Sequence, residues 1–123
     1  MIKDMRMLGI LGSLFLLLGV ALGAFTAHAL KAHFTEATLT TFETGVRYQM
    51  YHSMALLLAA TLSQKGNLFQ TAGFLYVAGI ILFSFSLYAL AWTGVRWLGA
   101  ITPLGGLCFL AGHLVMLIAF WKL

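Results

Sequence analysis

Residues 7–30 of the chain read MLGILGSLFLLLGVALGAFTAHAL and contain no Asp, Glu, Lys or Arg. A helix needs about 20 apolar residues to cross the hydrocarbon core of a bilayer, so this stretch is long enough to span it. Three further windows without charged residues follow, at 48–64, 66–95 and 97–121, and the first of these is short by a few residues. The runs are continuously apolar instead of alternating, which favours helices over barrel strands.

The composition indicates that lipid, and not a protein core, shelters these windows. Only 8% of the residues are charged and 62% are hydrophobic, whereas a soluble domain has about 25% charged residues. A soluble fold of 123 residues cannot hide that much apolar surface behind so few charges. We therefore predict one all-α membrane domain over residues 1–123, with four transmembrane helices at Met7–Ala27, Arg47–Leu62, Thr71–Thr93 and Leu98–Trp121.

The one long polar stretch, Lys31–Val46, lies between the first two predicted crossings. Its apolar and polar residues separate onto adjoining faces of a helical wheel, which predicts an amphipathic interfacial helix that runs into the second crossing. Glu43 and Arg47 stand four positions apart on the polar face, with the acid first, the favourable order for a pair. Because the second window is short, we expect Arg47 near the hydrocarbon, either snorkelling to the interface or engaged with Glu43 or a ligand.

An even number of crossings places both chain termini on one side of the membrane. That side would carry Lys3, Arg6, Lys65 and Lys122, and the other side Lys31, Arg47 and Arg96. The positive-inside rule then favours cytoplasmic termini. The start of the chain has basic residues before an apolar run, as a signal peptide does, but the run is longer than a signal core, so we expect it to be retained.

Several function classes find no support in the residues. The net charge of +4 comes from cations scattered singly, so nucleic acid is not an expected partner. The single cysteine, Cys108, lies in an apolar run and is expected to be a small core residue. There is no HExxH or CxxC motif, and we predict neither a metal nor a cofactor. Since no nucleophile–base pair is recognisable, we also predict that the protein is not an enzyme.

Small residues form a stripe along the first predicted crossing. Small-xxx-small spacing lets two helices approach closely, so the stripe predicts helix packing, against another helix of the chain or against a second subunit. The residues of the stripe are Gly12, Gly19, Gly23 and Ala27.

The fourth predicted crossing contains Pro103, Gly105 and Gly106. Proline removes a backbone hydrogen bond and clashes with the preceding turn, so these residues predict a helix break with a kink. A structural kink is favoured, and exposed carbonyls that bind an ion or substrate are the alternative.

Polar residues within the predicted crossings must find partners on other helices, because lipid offers none. Tyr48 and His52 share a face at the start of the second crossing, with Gln49 to one side. We predict an inter-helix hydrogen-bond network; a proton path or a ligand pocket is the alternative, because histidine titrates near neutral pH. His113 is expected to be a satisfied core histidine. The candidate polar cluster comprises His28, Glu43, Arg47, Tyr48, Gln49, His52, Ser84, Ser86 and Tyr88.

Four motifs in register resemble those of a known family. They are Gly23–Leu30 (GAFTAHAL), Arg47–His52 (RYQMYH), Leu82–Tyr88 (LFSFSLY) and Ile101–Gly106 (ITPLGG). In this order and spacing they are similar to the DUF423 family, also called UPF0382 or YgdD-like inner-membrane proteins, over nearly the whole chain. The resemblance implies a multi-pass protein of the bacterial inner membrane whose activity is unassigned. Thr26, Ala29 and Phe85 stand where glycine is usual in that family, and His113 where tryptophan is usual.

Three function classes stay open on the sequence alone. A structural, assembly or small-ligand-binding membrane protein is favoured by the small-residue faces, and it would contact the lipid bilayer and a second copy or another membrane protein. The alternative is a small-solute or ion transporter or channel that uses the Glu43/Arg47/His52 polar cluster. A proton-coupled transporter normally carries a carboxylate deep in a crossing, whereas Asp4, Glu36 and Glu43 lie outside the central spans. A membrane enzyme is the third and least supported class.

Overall fold

The computed structural model describes residues 2–123, which form long helices joined by short turns and contain no strand. This confirms the all-α prediction. Three of the helices, Ile2–His28, Asn67–Thr93 and Leu98–Trp121, are long and apolar enough to cross a membrane. The helices are α1 (Ile2–His28), α2 (Glu36–Leu62), α3 (Asn67–Thr93) and α4 (Leu98–Trp121), with single 3₁₀ turns at Leu30–Ala32 and Ser63–Lys65.

The second helix, α2, is continuous over 27 residues. Thr35 caps its start, because its hydroxyl accepts a hydrogen bond from the Thr38 N–H (3.2 Å) and satisfies one free amide of the first turn. The predicted amphipathic helix over Lys31–Val46 and the predicted crossing from Arg47 form one helix, which begins at Glu36 instead of Lys31. Within the polar segment, Phe42 and Gly45 are buried against other helices, and a position of this segment at the membrane surface stays a prediction.

The third helix, α3, contains a π-helical turn over Ile80–Phe85 between two α-helical parts. A π turn holds an extra residue and so changes the face that the following residues present. The helix is capped by Gly94, whose φ of 72° is a left-handed conformation that glycine adopts without strain. The Gly94 N–H donates to the Leu90 carbonyl (2.8 Å) and so satisfies an end carbonyl of the helix.

The fourth helix, α4, runs through Pro103 without interruption. The predicted interruption of the helix at Pro103, Gly105 and Gly106 is therefore wrong, whereas the predicted kink stays a prediction. Proline at this position removes only the hydrogen bond to the Gly99 carbonyl, near the start of the helix, and the turns on either side keep theirs.

Neighbouring helices run antiparallel, and α2 packs on α1 and on α3. Gly12 of α1 lies against Leu57 of α2, and Gly23 against Val46, which fixes the opposite directions of these two helices. α3 packs on another face of α2 and also on α4. The first and last described residues therefore lie at the same end of the bundle.

The bundle has a closed core and an apolar exterior. The core is formed by Leu8, Leu56, Phe69 and Tyr76 together with neighbouring apolar residues, all nearly inaccessible. Large apolar side chains also cover the outside, where Leu17, Leu110 and Leu117 are 68%, 67% and 64% exposed. A protein in water does not present so much contiguous apolar surface, so lipid is the natural solvent of this exterior.

Candidate functional site

The nine residues of the predicted polar cluster do not come together in one place. Gln49 and Tyr88 share one buried centre, Ser84 and Ser86 make separate contacts on α3, and His52 belongs to a third group. Tyr48 lies beside His52 in this third group, and the remaining members, His28, Glu43 and Arg47, are exposed.

Gln49 links three helices from the middle of α2. Its side-chain Nε2 donates to the Phe15 carbonyl of α1 (2.7 Å), and its Oε1 accepts from the Tyr88 hydroxyl of α3 (2.6 Å). The side chain is fully inaccessible. Because both ends of the amide are paired, this buried polar group fixes the relative positions of α1, α2 and α3.

Two serines, one within the π turn and one just after it, make hydrogen bonds to two different helices. The Ser84 hydroxyl donates to the Gly45 carbonyl of α2 (2.7 Å). The Ser86 oxygen lies 2.7 Å from the Thr102 hydroxyl of α4 and 2.8 Å from the Phe83 carbonyl. These contacts hold α2 and α4 on two sides of α3, as an inter-helix network in a membrane would.

A chain of hydrogen bonds runs through His52, His113 and Tyr76. The Nδ1 of His52 lies 2.7 Å from the Tyr48 carbonyl, and its Nε2 lies 3.0 Å from the Nε2 of His113. The Nδ1 of His113 lies 2.8 Å from the hydroxyl of Tyr76. The chain thus crosses α2, α4 and α3 in turn.

The carbonyl at one end of this chain determines the direction of every bond in it. A carbonyl only accepts, so the Nδ1 of His52 carries the proton and, in the neutral ring, its Nε2 is an acceptor. The Nε2–H of His113 then donates to His52, and the Tyr76 hydroxyl donates to the Nδ1 of His113. Both imidazoles are satisfied in this arrangement, although His113 is exposed and not in the core as predicted.

Aromatic rings surround the pair of histidines on the outer side of the bundle. Phe109 stacks on His52, with the ring centroids 3.5 Å apart and the planes at 7°. Phe83 packs on Tyr48, with the ring centroids 4.7 Å apart. A cleft of about 600 Å³ opens beside these rings, between α2 and α4, and is lined by Tyr48, His52, Phe83, Pro103, Gly106, Leu107, Phe109, Leu110 and His113.

Tyr48 supplies the free polar group of this cleft. Within residues 2–123 its hydroxyl makes no hydrogen bond, and the side chain is 37% exposed. The four ring nitrogens of His52 and His113 are all engaged. A molecule in the cleft would therefore meet apolar walls and one hydroxyl able to donate or accept.

Glu43 and Arg47 do not form the ion pair that was one of the alternatives expected for Arg47. In the described part of the chain no salt bridge joins them, and both side chains are exposed. They line a second, smaller groove of about 260 Å³ between α1 and α2, together with Gly23, Thr26, Ala27 and Val46. The transporter alternative gains no support, because its three polar residues, Glu43, Arg47 and His52, do not meet.

The small-residue stripe of α1 packs inside the chain. Gly12 and Gly19 lie under Leu57 and Met50, where an added Cβ would be closer than 3 Å to the side chain above. Gly23 faces Val46 more loosely (3.5 Å). Ala27 is exposed and only lines the smaller groove.

Gly79 and Gly112 make equally close contacts and were not singled out in the sequence, whereas Gly105 was singled out only as part of a helix break. Gly79 and Gly112 lie under the rings of Phe109 and Tyr76, and Gly105 lies on the backbone of the π turn. Tyr76 and Phe109 were also missed as site residues. Tyr76 could have been found in the sequence, because its hydroxyl is a polar group within an apolar window. Phe109 could not, because a phenylalanine in a membrane helix does not stand out from its neighbours.

Among residues 2–123 no three metal-binding side chains of His, Cys, Asp or Glu come together. Cys108 is a free thiol and only partly buried.

Comparison with known proteins yields one family. The family model described as "Protein of unknown function (DUF423)" matches residues 22–106. The UPF0382 membrane protein YwdK of Bacillus subtilis (strain 168) is 44% identical over 122 residues, covering 96% of this chain and 98% of that protein. The UPF0382 membrane protein SH2409 of Staphylococcus haemolyticus is 41% identical over 119 residues, with the same two coverages. No solved structure matches. The resemblance predicted from the four motifs is confirmed.

Proposed function

The chain belongs to the DUF423 family, whose relatives are named as membrane proteins, and we propose that it is a membrane-embedded binding protein for a small amphiphilic molecule. The molecule enters from the lipid phase into the cleft between α2 and α4. The cleft is the observation that supports this proposal most directly. Its volume of about 600 Å³ suits a small ligand, its lining is apolar, and it has one free hydroxyl.

All four helices cross the bilayer in this proposal, including α2. Its 27 residues equal the length of α1, and it lies antiparallel along α1 from Leu57 at Gly12 to Val46 at Gly23. Two helices packed side by side over that distance occupy the same depth. The polar residues Gln49, His52 and Ser53 that lower the hydropathy of α2 are buried and hydrogen-bonded, so they do not face lipid.

The protein resides in the bacterial cell (inner) membrane with both termini in the cytoplasm. The end of the bundle that holds the termini carries four cations, Lys3, Arg6, Lys65 and Lys122. The opposite end carries three, Lys31 and Arg96 in its connections and Arg47 within α2. The excess of cations at the terminal end supports its cytoplasmic location under the positive-inside rule.

The proposed ligand is mostly apolar and carries one hydrogen-bonding group. Leu107, Leu110 and Phe83 provide the apolar surface, and the Tyr48 hydroxyl binds the polar group. Gly106 leaves room at the floor, because a Cβ there would meet only a ring carbon of Phe83 at 4.0 Å.

Photolabelling tests this function. The protein is reconstituted in phospholipid nanodiscs with a diazirine-bearing fatty acid, irradiated, and the labelled peptides are mapped. We expect label at Leu107, Leu110 or Tyr48 in excess over the equally exposed Leu17 of α1.

The matched variants are Gly106→Leu, which fills the cleft, and Gly9→Leu, which adds the same side chain where nothing lies within 4 Å. Gly106→Leu should abolish the excess label and Gly9→Leu should keep it. Label spread evenly over all outward faces of the native protein would refute the binding function.

A further inference from the structure

Arg47 lies at a depth where a membrane protein rarely leaves a cation alone. The preceding residue, Val46, packs on Gly23, which precedes the end of α1 at His28 by five residues. At 1.5 Å per residue, Arg47 is roughly 8 Å inside the end of that helix. A charge at such a depth needs a partner or must extend towards the head groups.

The described part of the chain supplies no such partner. No ion pair joins Arg47 to Glu43, although the spacing of four residues would allow one. Both side chains are exposed and point away from the core. Each charge is thus available to a molecule outside the protein.

A groove beside these two charges is open to such a molecule. It has a volume of about 260 Å³ and lies between the end of α1 and the start of α2. On the α1 side its wall consists of the small residues Gly23, Thr26 and Ala27, so nothing bulky covers the charged side chains.

We propose that this groove binds the head group of a phospholipid that carries a phosphate and a primary ammonium, as phosphatidylethanolamine does. Glu43 precedes Arg47 by one helical turn, roughly 6 Å along the axis, and lies nearer the end of the bundle. In a bilayer the phosphate of this lipid is deeper than its ammonium. The order of charges therefore matches: Arg47 binds the phosphate and Glu43 binds the ammonium.

The same geometry disfavours choline and glycerol head groups. A choline head group has no N–H to donate to the Glu43 carboxylate, so it loses the charge-assisted hydrogen bond. A glycerol head group has no positive charge and would leave Glu43 beside the phosphate of an anionic lipid. Selectivity for the primary ammonium thus rests on Glu43, and affinity for the phosphate on Arg47.

Native mass spectrometry of the full chain in detergent tests the proposal, with an equimolar mixture of ethanolamine, choline and glycerol phospholipids of identical acyl chains. We expect the ethanolamine lipid to be retained about tenfold more than either of the others, as one charge-assisted hydrogen bond would give. Equal retention of the three lipids, or preference for the glycerol lipid, would overturn the proposal. Competition by soluble glycerophosphoethanolamine at the same concentration would show that the site does not require a membrane lipid, and would also overturn it.

Two variants separate the two charges, and two others serve as controls. Glu43→Gln should bring the ethanolamine-to-choline ratio close to one, whereas Arg47→Gln should reduce retention of all three lipids. Glu36→Gln on the same helix and Lys65→Gln at the other end should change neither. Thermal unfolding of each variant checks that it is folded. Glu43 is exposed, so Glu43→Gln should fold, and it tests the proposal even if Arg47→Gln does not fold. A Glu43→Gln variant with the native ratio contradicts the proposed ammonium site.

Discussion

Gln49 shows at the scale of one residue how a membrane helix tolerates a polar side chain. An amide in lipid or in an apolar core is unfavourable unless its donor and acceptor are both paired. Here the Phe15 carbonyl and the Tyr88 hydroxyl provide both partners, on two different helices. The residue therefore stabilises the packing of α2 that its polarity would otherwise oppose.

Replacement of this amide should destabilise the bundle. Gln49→Leu keeps a similar volume but leaves the Tyr88 hydroxyl unpaired, which costs about 1–3 kcal/mol. The measurement is the thermal midpoint in detergent, compared with Gln64→Leu, the same change at an exposed position. A midpoint for Gln49→Leu equal to that of Gln64→Leu would show that the amide does not link the helices.

The hydrogen bond between Tyr76 and His113 predicts a coupled pair of residues. Tyr76 is 1% exposed, so its hydroxyl depends on His113 for a partner. Tyr76→Phe should therefore destabilise the native protein by roughly 1 kcal/mol and should be almost neutral in a His113→Leu background. Chemical or thermal unfolding of the native protein, the two single variants and the double variant measures this coupling. Additive effects of the two changes would contradict the bond.

At the scale of elements, adjacent glycines in α4 differ sharply in what surrounds them. An added Cβ at Gly105 would lie 2.7 Å from the Phe83 Cβ and 2.8 Å from the Leu82 carbonyl carbon, so α4 would have to move off the π turn. At Gly106 the same group meets nothing nearer than 4.0 Å.

Gly105→Ala should lower stability by about 1–3 kcal/mol, as overpacking does. Gly106→Ala should leave it unchanged or raise it slightly, because alanine is the better helix former. Thermal unfolding of the two variants in the same detergent makes the comparison. Equal thermal midpoints for Gly105→Ala and Gly106→Ala would contradict the close approach of α4 to the π turn.

The elements could be predicted from the sequence where long apolar windows and turn residues define them. The predicted ends at Leu62, Thr93, Leu98 and Trp121 agree with the structure. The polar stretch was predicted to run as a helix into the second crossing, and α2 is one continuous helix, but the burial of Phe42 and Gly45 against other helices could not be predicted from this stretch alone. The π turn was not predicted, and the contacts that Ser84 and Ser86 make there with two other helices cannot be found from a local pattern.

The site was less predictable than the fold for the same reason. Periodicity along one helix shows that Tyr48 and His52 share a side of α2, but it does not show which helix faces them. The meeting of His52 with His113 joins residues that are 61 positions apart. Such a meeting depends on the order and angles of the packed helices, and therefore on the whole molecule.

At the scale of the whole molecule, the central claim is that lipid surrounds four crossings and that α2 is one of them. Residues with charges are confined to the two ends of the bundle and to the Glu43/Arg47 groove, while leucines cover the outside between them. If α2 crosses, the connections at its two ends lie on opposite sides of the membrane.

Cysteine accessibility in intact cells tests this claim most directly. In a Cys108→Ser background, single cysteines replace Ile2, His33, Gln64, Val95 or Leu123, all exposed at helix ends or connections, and a membrane-impermeant maleimide is added outside. We predict that His33→Cys and Val95→Cys react at once, whereas Ile2→Cys, Gln64→Cys and Leu123→Cys react only after lysis. Reaction of His33→Cys and Gln64→Cys from the same side would mean that α2 does not cross, and would contradict the four-helix membrane bundle.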